Sequence, residues 1–195
     1  MSKAVMLSVR PKWVEKIASG EKTIEVRKTR PKLDTPFKCY IYCTKDKHLA
    51  FMQNRFGTKL IACMDAETAI PVGGALGNGK IIGEFTCDRI DRLAPANEPY
   101  GIYDIDDDYV FQTCLENGDL WDYGHGIPLY GWHITDLRIY DAPRELSEFR
   151  RACPNSWYCE SCAMYWENNG TCGNESLQLK RAPQSWCYVE AMDNG

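Results

Sequence analysis

SGEKTIEVR, residues 19–27, places Lys22, Glu25 and Arg27 within six positions of one another, beside the apolar pair Ile24 and Val26. Gly20 marks a helix stop just ahead, because a residue without Cβ takes the left-handed conformation that closes a last turn. From Thr23 to Arg27 the chain alternates, with Ile24 and Val26 on one face of a strand and Thr23, Glu25 and Arg27 on the other. Residues two apart on a strand share a face at about 6.5 to 7 Å, so Glu25 and Arg27 stand side by side and Lys22 leans in from the turn. Arg27 suits a bidentate grip on carboxylate or phosphate, and Glu25 can hold a cation, accept from a base amine or orient Lys22. Partial desolvation of Lys22 would lower its pKa toward the range where an amine serves as base or nucleophile. The same triplet also suits an exposed strand face with screened charges.

Outward from this stretch, Pro11 to Ser19 (PKWVEKIAS) reads as a short amphipathic helix, with Trp13, Val14, Ile17 and Ala18 on one face and Pro11 in the first turn. Residues 37–44 (FKCYIYCT) alternate as a second strand, a weakly helical piece follows over His48 to Phe56, and Lys59 to Met64 is a further strand candidate. The glycines of PVGGALGNGK (71–80) mark a turn or mobile loop, and the spacing fits neither a P-loop nor a dinucleotide fingerprint. KIIGEFTCDRIDRL (80–93) reads as one long strand with a bulge at Gly83. DIDDD (104–108) lacks the glycine and closing glutamate of a calcium loop and fits the acidic opening of a helix over Tyr109 to Leu115. YGWHITDLRIYD (130–141) is strand-like and PRELSEF (143–149) a short helix. Short strands mixed with a few helices, without regular βαβ alternation, predict an α+β domain around a small barrel or strongly curved sheet.

The net charge of −4 argues against sequence-blind binding to a phosphate backbone, yet residues 1–48 carry twelve Lys/Arg against five Asp/Glu, leaving −11 for the rest. Such a basic first quarter can form one positive face for a phosphate-bearing ligand, or simply be solvated surface. The N-terminus has no signal-peptide apolar run and no stretch is long enough to cross a membrane as a helix, so a cytoplasmic protein is expected. In that compartment ten cysteines suggest buried thiols or metal ligands before disulfides.

Gly20, Lys22, Glu25 and Arg27 match the GxKxxExR signature of the ASCH domain family, relatives of the PUA domains. LSVRPKW (7–13), GKIIGEF (79–85), YGWHI (130–134), APRELSEF (142–149) and APQSWCYVE (182–190) resemble further stations of that pattern in the same order, so the resemblance spans residue 4 to about 190. It implies a small PUA-like β-barrel with short flanking helices over residues 1–150, a cysteine-rich insert of the phage and bacterial type over 151–175, and a C-terminal strand returning to the barrel within 176–195. It also implies a cleft for RNA or a modified nucleotide, with Lys22, Glu25 and Arg27 at its mouth and Arg10 and Ser8 nearby. Trp132 or Tyr130 could stack a base, or belong to the core. His133 could contact the ligand, or be a satisfied structural histidine.

Family members are associated with hydrolysis of an acylated cytidine and with cleavage of RNA. In the amidohydrolase branch a threonine stands where this chain has Glu25, which cannot supply that hydroxyl but could activate water as a general base. Binding of RNA or a nucleotide-like ligand is therefore the expected function, with hydrolysis of an acylated nucleoside or RNA by Lys22 and Glu25 as the alternative. No membrane or specific protein partner is expected.

The insert holds Cys153, Cys159, Cys162 and Cys172, with Cys187 further on. The Cys159-x2-Cys162 spacing has the bite zinc prefers, Cys172 is a natural third ligand, and Cys153 or Cys187 completes a four-thiolate structural site. Unligated thiols and a disulfide or redox pair are the alternatives. Cys39, Cys43, Cys63, Cys87 and Cys114 lack ligand spacing and read as packing residues.

Overall fold

A computed structural model of the chain describes residues 2–54, 57–63, 74–96, 102–154, 156–169 and 172–192. Strand β1 (Lys3–Val9) runs into helix α1 (Pro11–Ala18), and β2 (Ile24–Arg27), β3 (Phe37–Cys43), β4 (Leu49–Asn54), β5 (Gly57–Ala62), β6 (Ala75–Leu76), β7 (Ile81–Cys87) and β8 (Ile90–Leu93) follow. Helices α2 (Asp107–Thr113) and α3 (Asn117–Gly124) precede β9 (Leu129–His133) and β10 (Thr135–Arg144), and α4 (Ala163–Glu167) precedes β11 (Trp186–Glu190).

The strands form a five-stranded sheet in the order β10-β7-β3-β1-β11, and two three-stranded sheets, β2-β9-β8 and β5-β4-β6. No closed barrel is found among the described residues, where each sheet is open, with β10 and β11 as the edges of the largest. Alternation along the chain shows which face of a strand is buried but carries no information about whether first and last strands meet. β1 and β3 pair in parallel, and the other pairs are antiparallel.

β1 is buried on both faces. Val5, Leu7 and Val9 join Ile41, Phe51, Phe85 and Trp132 in the main core, and Ala4 and Met6 join Tyr40, Ile81, Phe149 and Val189 in a second core. α1 begins with Pro11 at its first position, which costs no hydrogen bond there, and buries Val14 and Ile17. It ends as expected at Gly20, whose φ of +81° turns the chain, and the Lys22 N–H then donates back to the Lys16 carbonyl at 2.9 Å.

Three local expectations change. Residues 49–54 form β4, not a helix, because Ala50, Phe51 and Met52 are consecutive buried residues held between β5 and β6, which erases any alternation. The 80–93 stretch breaks after Cys87 into β7 and β8, which belong to different sheets. Its Gly83 does sit at a register shift, where an added Cβ would lie 2.5 Å from the Arg138 carbonyl oxygen. PRELSEF extends β10 to Arg144 and then makes only a 3-10 turn, Leu146–Glu148. The acidic run does open a helix, with the Asp106 carboxylate accepting from the Tyr109 N–H at 2.7 Å.

β9 lies between β2 and β8, opposite the strand that carries the motif: Glu25 pairs with Trp132, Val26 with Gly131 and Arg27 with Tyr130. A Cβ on Gly131 would fall 1.8 Å from the buried hydroxyl of Tyr109. Gly131→Ala is therefore expected to lower stability by about 1–3 kcal/mol in urea denaturation through overpacking. Adding Tyr109→Phe, which deletes that hydroxyl, should recover part of the loss.

Candidate functional site

The turn after α1 and the start of β2 bring the three motif side chains together. Glu25 accepts from Arg27 Nη2 at 2.9 Å and lies 3.5 Å from Lys22 Nζ. Lys22 is 2% exposed, and Glu25 and Arg27 are 7% exposed. Burial on this scale makes each charge dependent on its partners, because water no longer screens or solvates it.

Those partners come from distant parts of the chain. Arg27 Nη2 donates to the Ser8 carbonyl at 2.8 Å, and Nη1 reaches the Ser185 carbonyl and hydroxyl at 3.4 Å. Lys22 Nζ donates to the Thr113 carbonyl, at the end of α2, and sits 5.3 Å from the centre of the Trp13 ring. Burial pulls the Lys22 pKa below its ordinary value, and the Glu25 carboxylate partly opposes that shift.

Motif and partners line a cavity of about 440 Å³. Arg10, Trp13, Lys22, Glu25 and Arg27 belong to its lining, together with Thr44, Leu115, Asp119, Tyr123, Gln184 and Ser185. Arg10 is exposed where α1 begins. Ser8 lines the cavity too, but its hydroxyl donates to the Pro183 carbonyl at 2.6 Å while its own carbonyl holds Arg27, so it positions the arginine.

The profile of the ASCH domain matches residues 7–165 of this sequence. The chain belongs to the ASCH domain family. Solved structures agree on the fold. The ASCH protein of Zymomonas mobilis is 15% identical with a TM-score of 0.52, over 96% of this chain and 87% of that one. A serine-to-alanine mutant of the same protein gives 14% identity and a TM-score of 0.53, over 96% and 88% of the two chains. Among curated proteins, none matches the sequence.

Two aromatic expectations for this ASCH domain are redrawn. Trp132 is completely buried, packed edge-on to Phe37 at 5.9 Å and against Trp186 at 6.0 Å, and does not line the cavity. Tyr130 is half-buried against the same core and also lies outside the lining. A large ring on the central strand of a small sheet gains more from the core than from a solvent-facing cleft. The cavity takes its aromatic surface from Trp13 and Tyr123 instead.

Tyr123 comes from α3, which sequence reading missed behind two glycines. The available signal was the reciprocal cap, in which Glu116 and Asp119 each bond the other's backbone N–H. Leu120, fully buried with Val26, Leu93, Tyr103 and Leu129, clamps α3 onto the sheet.

His133 follows the structural expectation: its Nε2 lies 2.6 Å from the Asp91 carboxylate and 2.9 Å from Arg89 Nη2. Cys39, Cys43 and Cys87 are buried in the core, as packing residues would be, whereas Cys63 and Cys114 are only partly buried. Among the described residues no three His, Cys, Asp or Glu gather as metal ligands. Cys162 is exposed, Cys153, Cys159 and Cys172 are partly buried, and Cys187 packs against the second core, where burial raises its thiol pKa. Among the described residues no helix is long and apolar enough to cross a membrane.

Glu25→Gln leaves Lys22 and Arg27 buried without their counter-charge and is expected to cost about 3–5 kcal/mol in urea denaturation. Adding Lys22→Met should recover part of that loss. The lowered Lys22 pKa also sets a pH signature. Folded protein releases this proton before unfolded protein does, so stability should rise with pH from the lowered value up to about 10.4. Lys22→Met should lack that increment.

Proposed function

We propose that this ASCH domain binds RNA or a modified nucleotide, with one nucleotide held in the cavity around Lys22, Glu25 and Arg27. The observation that carries the reading is the combination, in one cavity of about 440 Å³, of a buried lysine–glutamate–arginine cluster with the rings of Trp13 and Tyr123. A nucleotide needs both kinds of surface, an aromatic face for the base and fixed donors for phosphate or base edges. The ionisable lining is three cations, Arg10, Lys22 and Arg27, against two carboxylates, Glu25 and Asp119, an excess of one positive charge that suits one phosphate group.

Ligand recognition also explains why a costly ionic cluster is kept under the surface. A buried ion triad is often no more stabilising than apolar side chains of the same volume, so its use lies in specificity. Arg10, exposed at the cavity, adds a contact for the phosphate.

The hydrolase reading draws on one observation, the depressed pKa of Lys22, which increases the fraction of neutral amine able to take a proton. Its Nζ already donates to the Thr113 carbonyl and faces Glu25, which favours binding over turnover.

Calorimetric titration with the four ribonucleoside 5′-monophosphates tests the main reading. Wild-type protein should bind at least one of them, Lys22→Met and Arg27→Ala should each weaken it tenfold or more, and unchanged affinity in both variants refutes the reading. Affinity should also fall as pH rises through the lowered Lys22 pKa, since the cation is lost there. Turnover of acylated nucleosides or short RNAs that Lys22→Met abolishes would replace binding with catalysis.

A further inference from the structure

Beyond Arg27 the chain leaves the cavity as an exposed basic loop carrying Lys28, Arg30 and Lys32. Among the described residues none of these three forms an ion pair with a carboxylate, whereas Lys16, Lys22, Arg27, Lys38, Lys80, Arg89, Arg144 and Arg150 all do. Three cations at alternate positions with no carboxylate to neutralise them form a local positive strip suited to an anionic ligand.

The loop holds them on a fixed backbone. Trp186 Nε1 donates to the Thr29 hydroxyl at 2.9 Å, the Lys32 N–H donates to the Tyr188 hydroxyl at 2.7 Å, and Pro31 is buried. Lys28 Nζ lies 4.9 Å from the centre of the Tyr123 ring, so the first cation of the loop rests on an aromatic residue of the nucleotide cavity. A second cavity of about 580 Å³ then opens along the same loop, lined by Arg30, Lys32, Leu33, Asp34 and Ile90 among others. The two cavities are joined by the backbone from Arg27 to Arg30, a span of at most about 11 Å when fully extended.

We infer that a single RNA strand continues from the first cavity along this loop, its phosphates on Lys28, Arg30 and Lys32 and its next nucleotide in the second cavity. The inference rests on the nucleotide reading of the first cavity and extends the ligand from one nucleotide to a strand. Lys28, Arg30 and Lys32 alternate along the loop, so each can meet a different phosphate of one strand. A duplex is disfavoured, because its bases are stacked inside and the chain carries a net charge of −4. Basic surface beside aromatic rings is the recurrent means of holding unpaired strands.

Fluorescence anisotropy with a labelled single-stranded RNA ten-mer of mixed sequence, over a salt series, tests the path. Lys28→Gln, Arg30→Gln and Lys32→Gln combined should weaken the ten-mer at least tenfold. The slope of log affinity against log salt should fall by about 2, from three phosphates at about 0.7 each. The pair Arg30→Gln and Lys32→Gln, away from Tyr123, should leave binding of the 5′-monophosphate recognised by the first cavity unchanged.

A control removing equal charge elsewhere, Arg138→Gln and Arg144→Gln on the edge strand β10 and Lys80→Gln just before β7, should keep the wild-type slope. An unchanged slope in the loop variant overturns the path while leaving the first cavity's reading intact. Monophosphate affinity unchanged in both Lys22→Met and Arg27→Ala overturns the first reading instead. Equal affinity for duplex RNA, or for vesicles of anionic lipid, would also overturn the strand assignment.

Discussion

Glu25 sits between two buried cations, 2.9 Å from Arg27 Nη2 and 3.5 Å from Lys22 Nζ, and much of the surrounding structure serves to keep it there. Charges removed from water need partners on every side, and here those partners are recruited from across the chain. The Ser8 carbonyl on β1, the Thr113 carbonyl at the end of α2 and Ser185 just before β11 each take one of the remaining donors. The first strand, the last strand and the helical segment after β8 thus meet at three residues of one short motif.

That arrangement ties the site to the fold on several levels. Gly20 turns the chain so that Lys22 can reach inward. β9 backs β2 and commits its largest side chain, Trp132, to the core. α3, fastened by Leu120, brings Tyr123 and Asp119 to the cavity, and the loop after β2 is fastened to β11 through Trp186 and Tyr188. Because the motif strand is short, its orientation rests on these contacts more than on its own ladder.

The parts legible in the sequence are those decided by neighbours in the chain. The α1 helix with its Pro11 start and Gly20 stop, the alternation of β2 and β3, and the helix opened by Asp106 all follow from local rules. So does the approach of Lys22, Glu25 and Arg27, since strand geometry alone sets two of them side by side. Burial of the triplet was not legible, because it depends on carbonyls 19 to 158 positions away. β4 was misread as helical for the same reason: its consecutive apolar residues acquire strand character only from β5 and β6. Tyr123 and Trp13 were missed as cavity residues because aromatic character signals burial and ligand contact equally, and only coordinates separate Trp132 in the core from Trp13 at the site.

Proton–nitrogen NMR of the Trp13 indole and the Arg27 guanidinium during titration with the single-stranded RNA ten-mer tests the central claim most directly, namely that the buried ionic cluster is one surface of a ligand site. Both signals should move together and saturate with binding, while the indole of Trp132, sealed in the core, should stay in place. Saturable binding of the RNA that leaves Trp13 and Arg27 unmoved would contradict the account.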